Sequence, residues 1–103
     1  MPLDPGAEGV VGQLSRAGTG ASANYYSACR ARSRAEFISR LAIALDEADE
    51  ASHWLSVAKE SDLASGSEFD WLLRESSELR AILFASLTTA RLNQRAIQRQ
   101  RDP

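Results

Sequence analysis

The fold of this chain is most readily predicted from residues 33–60, SRAEFISRLAIALDEADEASHWLSVAKE. Ser33 stands three residues before Glu36, which is the capping-box signature of a helix N-terminus. After it, apolar or small residues alternate spacings of four and three, as they do on the core-facing side of a bundle helix. These residues are Phe37, Leu41, Ala44, Ala48, Ala51, Leu55 and Ala58, and Ile38 and Leu45 widen the stripe. The pattern predicts a long amphipathic helix over residues 34–60.

Helical spacing also appears on both sides of this segment. Upstream, the pattern predicts a helix over about residues 10–30, although Gly18 and Gly20 suggest a bend or a close helix approach. Downstream of a turn near Gly66, it predicts a helix over residues 67–98. The side chains expected in the core are Phe37, Leu41, Leu45, Leu55, Leu72, Leu79 and Leu83.

The resulting fold class is all-α, an up-and-down antiparallel bundle with three helices present. The three prolines lie near the ends of the 103-residue chain, where they do not interrupt a helix. Pro2, Pro5, Gly6 and Gly9 indicate an irregular leader at 1–9. The bundle domain is predicted at 10–98, and a basic tail at 99–103. Short turns between long helices favour antiparallel neighbours.

The charge, the cysteine content and the lack of long apolar runs disfavour several classes of protein for this sequence. The formal net charge is −2, so a uniformly basic nucleic-acid-binding protein is disfavoured. The single cysteine, Cys29, excludes an internal disulfide and fits a reducing compartment. No apolar run approaches the roughly 20 residues of a membrane span, and no signal peptide is apparent. We expect a cytoplasmic protein with no membrane partner.

Catalytic and metal-binding patterns are weak throughout the sequence. Glu50 and His53 have the i, i+3 spacing of di-iron bundles, but this chain has one histidine and the heptad places it on the outer side. Cys29 has no histidine or second cysteine near it in sequence. We therefore expect no enzyme activity, no cofactor, no metal and no small-molecule substrate.

Large apolar residues also lie off the predicted core stripe, so both long helices are two-sided. Apolar patches of this kind mark partner surfaces, and the alternative is a set of ordinary isolated surface hydrophobes. The candidate oligomer-interface residues are Ile43, Trp54 and Val57 on one helix, and Trp71, Phe84 and Leu92 on the next.

Two groups of arginines are candidates for nucleic-acid contact. Arg30, Arg32 and Arg34 cluster at the first turn, and Arg91, Arg95 and Arg99 lie four residues apart on one helix face. Such a ridge can hold phosphates, whereas the alternatives are helix capping and a solvated helix end. Tyr25 and Tyr26 are expected to pack against the bundle rather than to stack on bases.

Several short blocks carry a resemblance to a known family. They are Gln13-Leu14-x-Arg16-Ala17, Ala23-Asn24, Arg30-x-Arg32-Ser33-x-x-Glu36-Phe37, Leu41-x-x-Ala44-Leu45-x-Glu47-Ala48 and Trp54-Leu55. In these blocks the chain resembles the four-helix-bundle proteins encoded in 23S rRNA intervening sequences. The family's first helix would precede Gln13, where this chain has only a short Pro- and Gly-bearing stretch. The resemblance therefore implies a four-helix-type bundle without its first helix, and the alternatives are a three-helix remnant, a misplaced start of the sequence and a divergent member of the family.

The resemblance also implies a function. Proteins of this kind are non-enzymatic homo-oligomers, typically pentamers, without a cofactor. The chain is similar as well to accessory proteins of diversity-generating retroelements, which implies an alternative role: binding a reverse transcriptase and RNA or DNA through basic surfaces.

Overall fold

The computed structural model describes residues 4–101, and within this range it contains three α-helices and no strand. Helix α1 spans Pro5–Cys29, α2 spans Arg34–Glu60 and α3 spans Ser67–Arg101. The all-α class is therefore confirmed, and the bounds predicted for the second helix match α2.

The N-terminal helix begins earlier than its sequence pattern predicts. Asp4 caps it, because the Asp4 Oδ1 atom accepts a hydrogen bond of 2.8 Å from the Ala7 N–H. Pro5 occupies the first turn, where its missing N–H has no intrahelical partner to lose. The prediction of an irregular leader at 1–9 is therefore wrong from residue 5 onward, and residues 1–3 lie outside the described range.

The start of α2 is capped almost as its sequence predicts. The Glu36 N–H donates to the Ser33 Oγ atom at 3.1 Å, while Glu36 Oε2 accepts from the Arg32 N–H at 3.2 Å, one residue before the expected partner. At the other end of the chain, α3 continues to Arg101. The predicted basic tail is thus helical at 99–101, and residues 102–103 lie outside the described range.

Helix α2 is the central element, because α1 and α3 each pack on it and not on each other. Among the described residues, no Cα atom of α1 lies within 8 Å of one in α3. Late residues of α2 meet early residues of α3, as in the 3.0 Å ion pair of Lys59 with Asp70. Further along, the Ser52 and Ser76 hydroxyls lie 2.9 Å apart. The three helices form an L in cross-section, 64 Å long and 21 × 17 Å across.

The core is concentrated at the end of the molecule where all three helices supply a side chain. Ala28, Leu41 and Leu87 form its buried centre. The residues packed around it are Phe37, Ile38, Ala42, Leu45 and Leu83. Leu41 is 1% exposed and is the largest fully buried side chain among the described residues.

Burial confirms part of the predicted core and contradicts the rest. Leu41 and Leu55 are buried, whereas Phe37, Leu45 and Leu83 are partly buried. Leu72 and Leu79 are 42% and 57% exposed, so their assignment to the core is wrong. The reason is that α3 has one neighbour, α2, which covers a narrow stripe of it, and α1 does not reach the adjoining side.

Candidate interaction groove

The open side of the L is an apolar groove. Helix α2 forms its floor, and α1 and α3 form its two walls. Its volume is about 460 Å³. The lining residues are Gly18, Ala21, Ser22, Tyr25, Ala48, Ala51, Ser76, Leu79, Ile82 and Leu83. We call this the inter-helix groove.

The inter-helix groove offers apolar surface almost exclusively. Leu79 and Ile82 on the α3 wall are exposed and line the groove, and the small side chains of Ala48 and Ala51 form its floor. The Ser76 hydroxyl already donates to the Leu73 carbonyl at 3.0 Å. Among the residues that the structure describes, no carboxylate, imidazole or basic group lines the groove. The arrangement suits the burial of an apolar face, not acid–base chemistry.

Tyr25 stands at the edge of the groove, and the neighbouring Cys29 affects its acidity. A side-chain hydrogen bond with Cys29 raises the pKa of the Tyr25 phenol, with smaller effects of the same sign from charge and burial. The phenol is thus neutral at physiological pH. The expectation that both tyrosines pack against the bundle is wrong, because Tyr25 is 51% and Tyr26 62% exposed.

Gly18 and Gly20 of α1 have different surroundings. A Cβ atom added at Gly20 would lie 3.0 Å from the end of the Glu47 side chain, so Gly20 leaves room for that carboxylate. A Cβ atom added at Gly18 would meet nothing within 4 Å. Gly18 therefore leaves the groove wall open and is not required for packing within the chain.

The predicted oligomer-interface residues lie outside this groove. Trp71, Phe84 and Leu92 are exposed on α3, and Ile43 is 39% exposed on α2. Trp54 and Val57 are partly buried, and the Trp54 ring packs edge-on against His53 at a centroid distance of 5.1 Å. The side chains that line the groove were missed as a site, because Leu79 and Ile82 fit the core periodicity equally well.

The other predicted sites are placed as follows. Each of the candidate nucleic-acid contacts Arg30, Arg32, Arg34, Arg91, Arg95 and Arg99 is exposed. Within residues 4–101, no group of three or more His, Cys, Asp or Glu side chains could hold a metal ion. In the same range, no helix has the length and apolar character to cross a bilayer.

Comparison with known proteins places the chain in a family. Residues 4–85 match the model of the 23S rRNA-intervening sequence protein family. No curated protein matches the chain significantly. A solved structure from Bacteroides thetaiotaomicron, described as a protein of unknown function from the S23 ribosomal protein family, is 32% identical with a TM-score of 0.71. The match covers 77% of this chain and 70% of that one. The family match spans most of the sequence, so this chain belongs to the 23S rRNA-intervening sequence protein family.

Proposed function

We propose that this protein is a non-enzymatic helical-bundle protein that associates with further copies of itself through the inter-helix groove. The observation that carries the proposal is the groove itself: apolar, open along one side and bounded by three helices. A surface of this kind is stabilised by an apolar helix face laid into it.

The cross-section supports a helix as the occupant. In an up-and-down bundle of four helices, each helix touches two neighbours and faces the fourth across a diagonal. Helices α1, α2 and α3 have this relation, because α2 touches both others while α1 and α3 remain apart. We infer that the three helices are three corners of such a bundle and that the fourth corner is filled by a helix of another chain.

A second copy is the occupant that the chain itself suggests. Trp71 and Leu92 are both exposed on α3 and are 21 residues apart, so a heptad repeat places them on the same side. Each copy thus carries a groove and an apolar helix face that could enter the groove of another. Repeated around an axis along the helices, a contact of this head-to-tail kind forms a ring when its rotation closes. The family resemblance implies five copies in it.

The test places a charge in the groove without disturbing the packing within one chain. Gly18→Glu projects a carboxylate from the α1 wall, and nothing in the chain lies within 4 Å of the new Cβ atom. Gly9→Glu is the matched control, since Gly9 is exposed on the same helix, is outside the groove and has equally open surroundings. Both changes replace glycine by a better helix former.

Multi-angle light scattering at micromolar concentration gives the readout. We expect the native chain and Gly9→Glu to have a mass that is a multiple of 11.2 kDa, and Gly18→Glu to have the mass of one chain. Circular dichroism should show undiminished helix content in both variants. A native mass of 11.2 kDa, or equal masses for the two variants, would contradict the proposal.

A further inference from the structure

The fold brings the two arginine groups to the same end of the molecule, although some sixty residues separate them in sequence. Arg34 and Phe37 at the start of α2 line one surface hollow with Thr89 and Asn93 of α3. Because α2 begins at Arg34, the last two turns of α3 project beyond it. We call residues 24–41 and 85–101 the basic end.

The basic end has a strong excess of positive charge. Its exposed arginines are Arg30, Arg32, Arg34, Arg40, Arg91, Arg95, Arg99 and Arg101. Glu36 is its single acidic residue. Both salt bridges among the described residues, Lys59 with Asp70 and Arg80 with Asp49, lie outside it. The net charge of −2 therefore conceals a positive end on an otherwise acidic molecule.

An exposed aromatic ring lies among these arginines. Tyr26 is 62% exposed, and the Arg30 guanidinium carbon lies 5.3 Å from its ring centroid. The Arg30 Nη1 atom also donates to the Tyr26 hydroxyl at 3.1 Å. Both side chains border a hollow of about 420 Å³ that Arg32 and Arg40 also line. Arg30 holds the ring at the surface, where Tyr26 remains largely exposed.

We propose that the basic end binds a single-stranded nucleic acid, with the arginines on the phosphates and the Tyr26 ring stacked on a base. Single strands are bound by proteins that combine a positive surface along the backbone with exposed aromatic rings, because unpaired bases offer a face for stacking. A duplex engages the arginines alone, since its bases are stacked on each other.

The basic end and the inter-helix groove share only Tyr25, at the edge of the groove, so this inference goes beyond the proposed self-association. Gly18 and Ala48 line the groove near the middle of the helices, whereas the arginines cluster at one end. A ring of copies with helices aligned along its axis would gather the basic ends on one face and increase the number of phosphates contacted.

The experiment measures the binding affinity of a labelled 20-nucleotide oligouridylate by fluorescence anisotropy, from 50 to 300 mM salt. A labelled duplex of the same length is measured in parallel. On single strands, each phosphate contact contributes about −0.7 to the slope of log affinity against log salt. We would make two double variants, Arg32→Gln with Arg34→Gln and Arg95→Gln with Arg99→Gln. Each removes two phosphate contacts and should make the slope shallower by about 1.4. The matched control is Arg16→Gln with Arg74→Gln, two exposed arginines outside the basic end, and it should leave the slope unchanged.

The role of the ring has its own readout. Tyr26→Ala should weaken single-strand binding about 5- to 150-fold at constant salt slope, whereas Tyr26→Phe should keep the native affinity. Duplex binding should not respond to Tyr26→Ala. The proposal is overturned by absence of binding at 50 mM salt, by equal effects of the control and basic-end pairs, or by tighter binding of the duplex. Loss of affinity in Tyr26→Phe equal to that in Tyr26→Ala would also refute stacking.

Discussion

Leu41 and Leu79 have similar positions in the hydrophobic pattern but opposite surroundings, so truncating each to alanine should affect different properties. Leu41 is 1% exposed at the centre of the core. Leu41→Ala removes fully buried carbons and leaves a cavity, which should lower the free energy of unfolding by about 2 to 5 kcal/mol. Leu79 is 57% exposed. At about 0.8 kcal/mol per buried CH₂, Leu79→Ala should cost the single chain no more than about 1 kcal/mol.

For self-association we expect the opposite ranking, with a larger effect of Leu79→Ala than of Leu41→Ala. Leu79 lines the inter-helix groove, so a helix docked there would bury the remainder of its side chain. Losing that burial, about 1.4 kcal/mol, corresponds to a tenfold weaker association at each groove. Leu41 lies away from the groove and should affect association only through folding.

Two assays separate the effects. Urea unfolding followed by circular dichroism, over a range of protein concentrations, measures the stability of the chain, and sedimentation equilibrium measures association. The reasoning is refuted if Leu41→Ala costs less than about 1 kcal/mol. It is also refuted if Leu79→Ala destabilises the dissociated chain as much as Leu41→Ala does, because Leu79 would then belong to the core.

Two further substitutions test local structure by urea unfolding of the dissociated chain. Ser33→Ala removes the oxygen that accepts from the Glu36 N–H and should cost about 1 kcal/mol; an unchanged stability would show that the cap contributes nothing. Gly66→Ala should lower the free energy of unfolding by about 1 to 2 kcal/mol, because Gly66 has a φ of +108°. Gly18→Ala should raise it by about 0.5 to 1 kcal/mol, because Gly18 is helical and nothing lies within 4 Å of the added Cβ atom. Effects of the same sign in these two glycine variants would contradict the backbone argument.

The groove and the basic end lead to one expectation about how they act together. If aligned copies gather their basic ends, like charges oppose assembly at low ionic strength, and salt relieves this repulsion because the screening length shortens to about 8 Å near physiological salt. A bound polyanion would relieve it in the same way. Nucleic acid and self-association would therefore favour each other, as reciprocal coupling requires.

Local sequence signals were sufficient for the number of helices and for the extent of α2. The bounds of α2 follow from Ser33 and from an apolar repeat that continues to Ala58, both of which depend on neighbours a few residues away. The same kind of information misled at the N-terminus. Pro5 and Gly6 suggested an irregular segment, whereas Asp4 as a cap and Pro5 in the first turn start a helix.

The amino-acid pattern is thus enough to predict the helical class, the extent of α2 and an apolar surface on the long helices that is larger than one core requires. Which part of that surface is covered depends on how the helices pack. Leu87 is buried in the core and Leu83 lies between the core and the groove, whereas Leu79 and Ile82 are exposed in the groove, although all four fit one helical period. Periodicity specifies the side of a helix but not the number of its neighbours. The proximity of the two arginine groups also depends on helix packing. It is set by the position of α3 along α2, and no local pattern encodes that position.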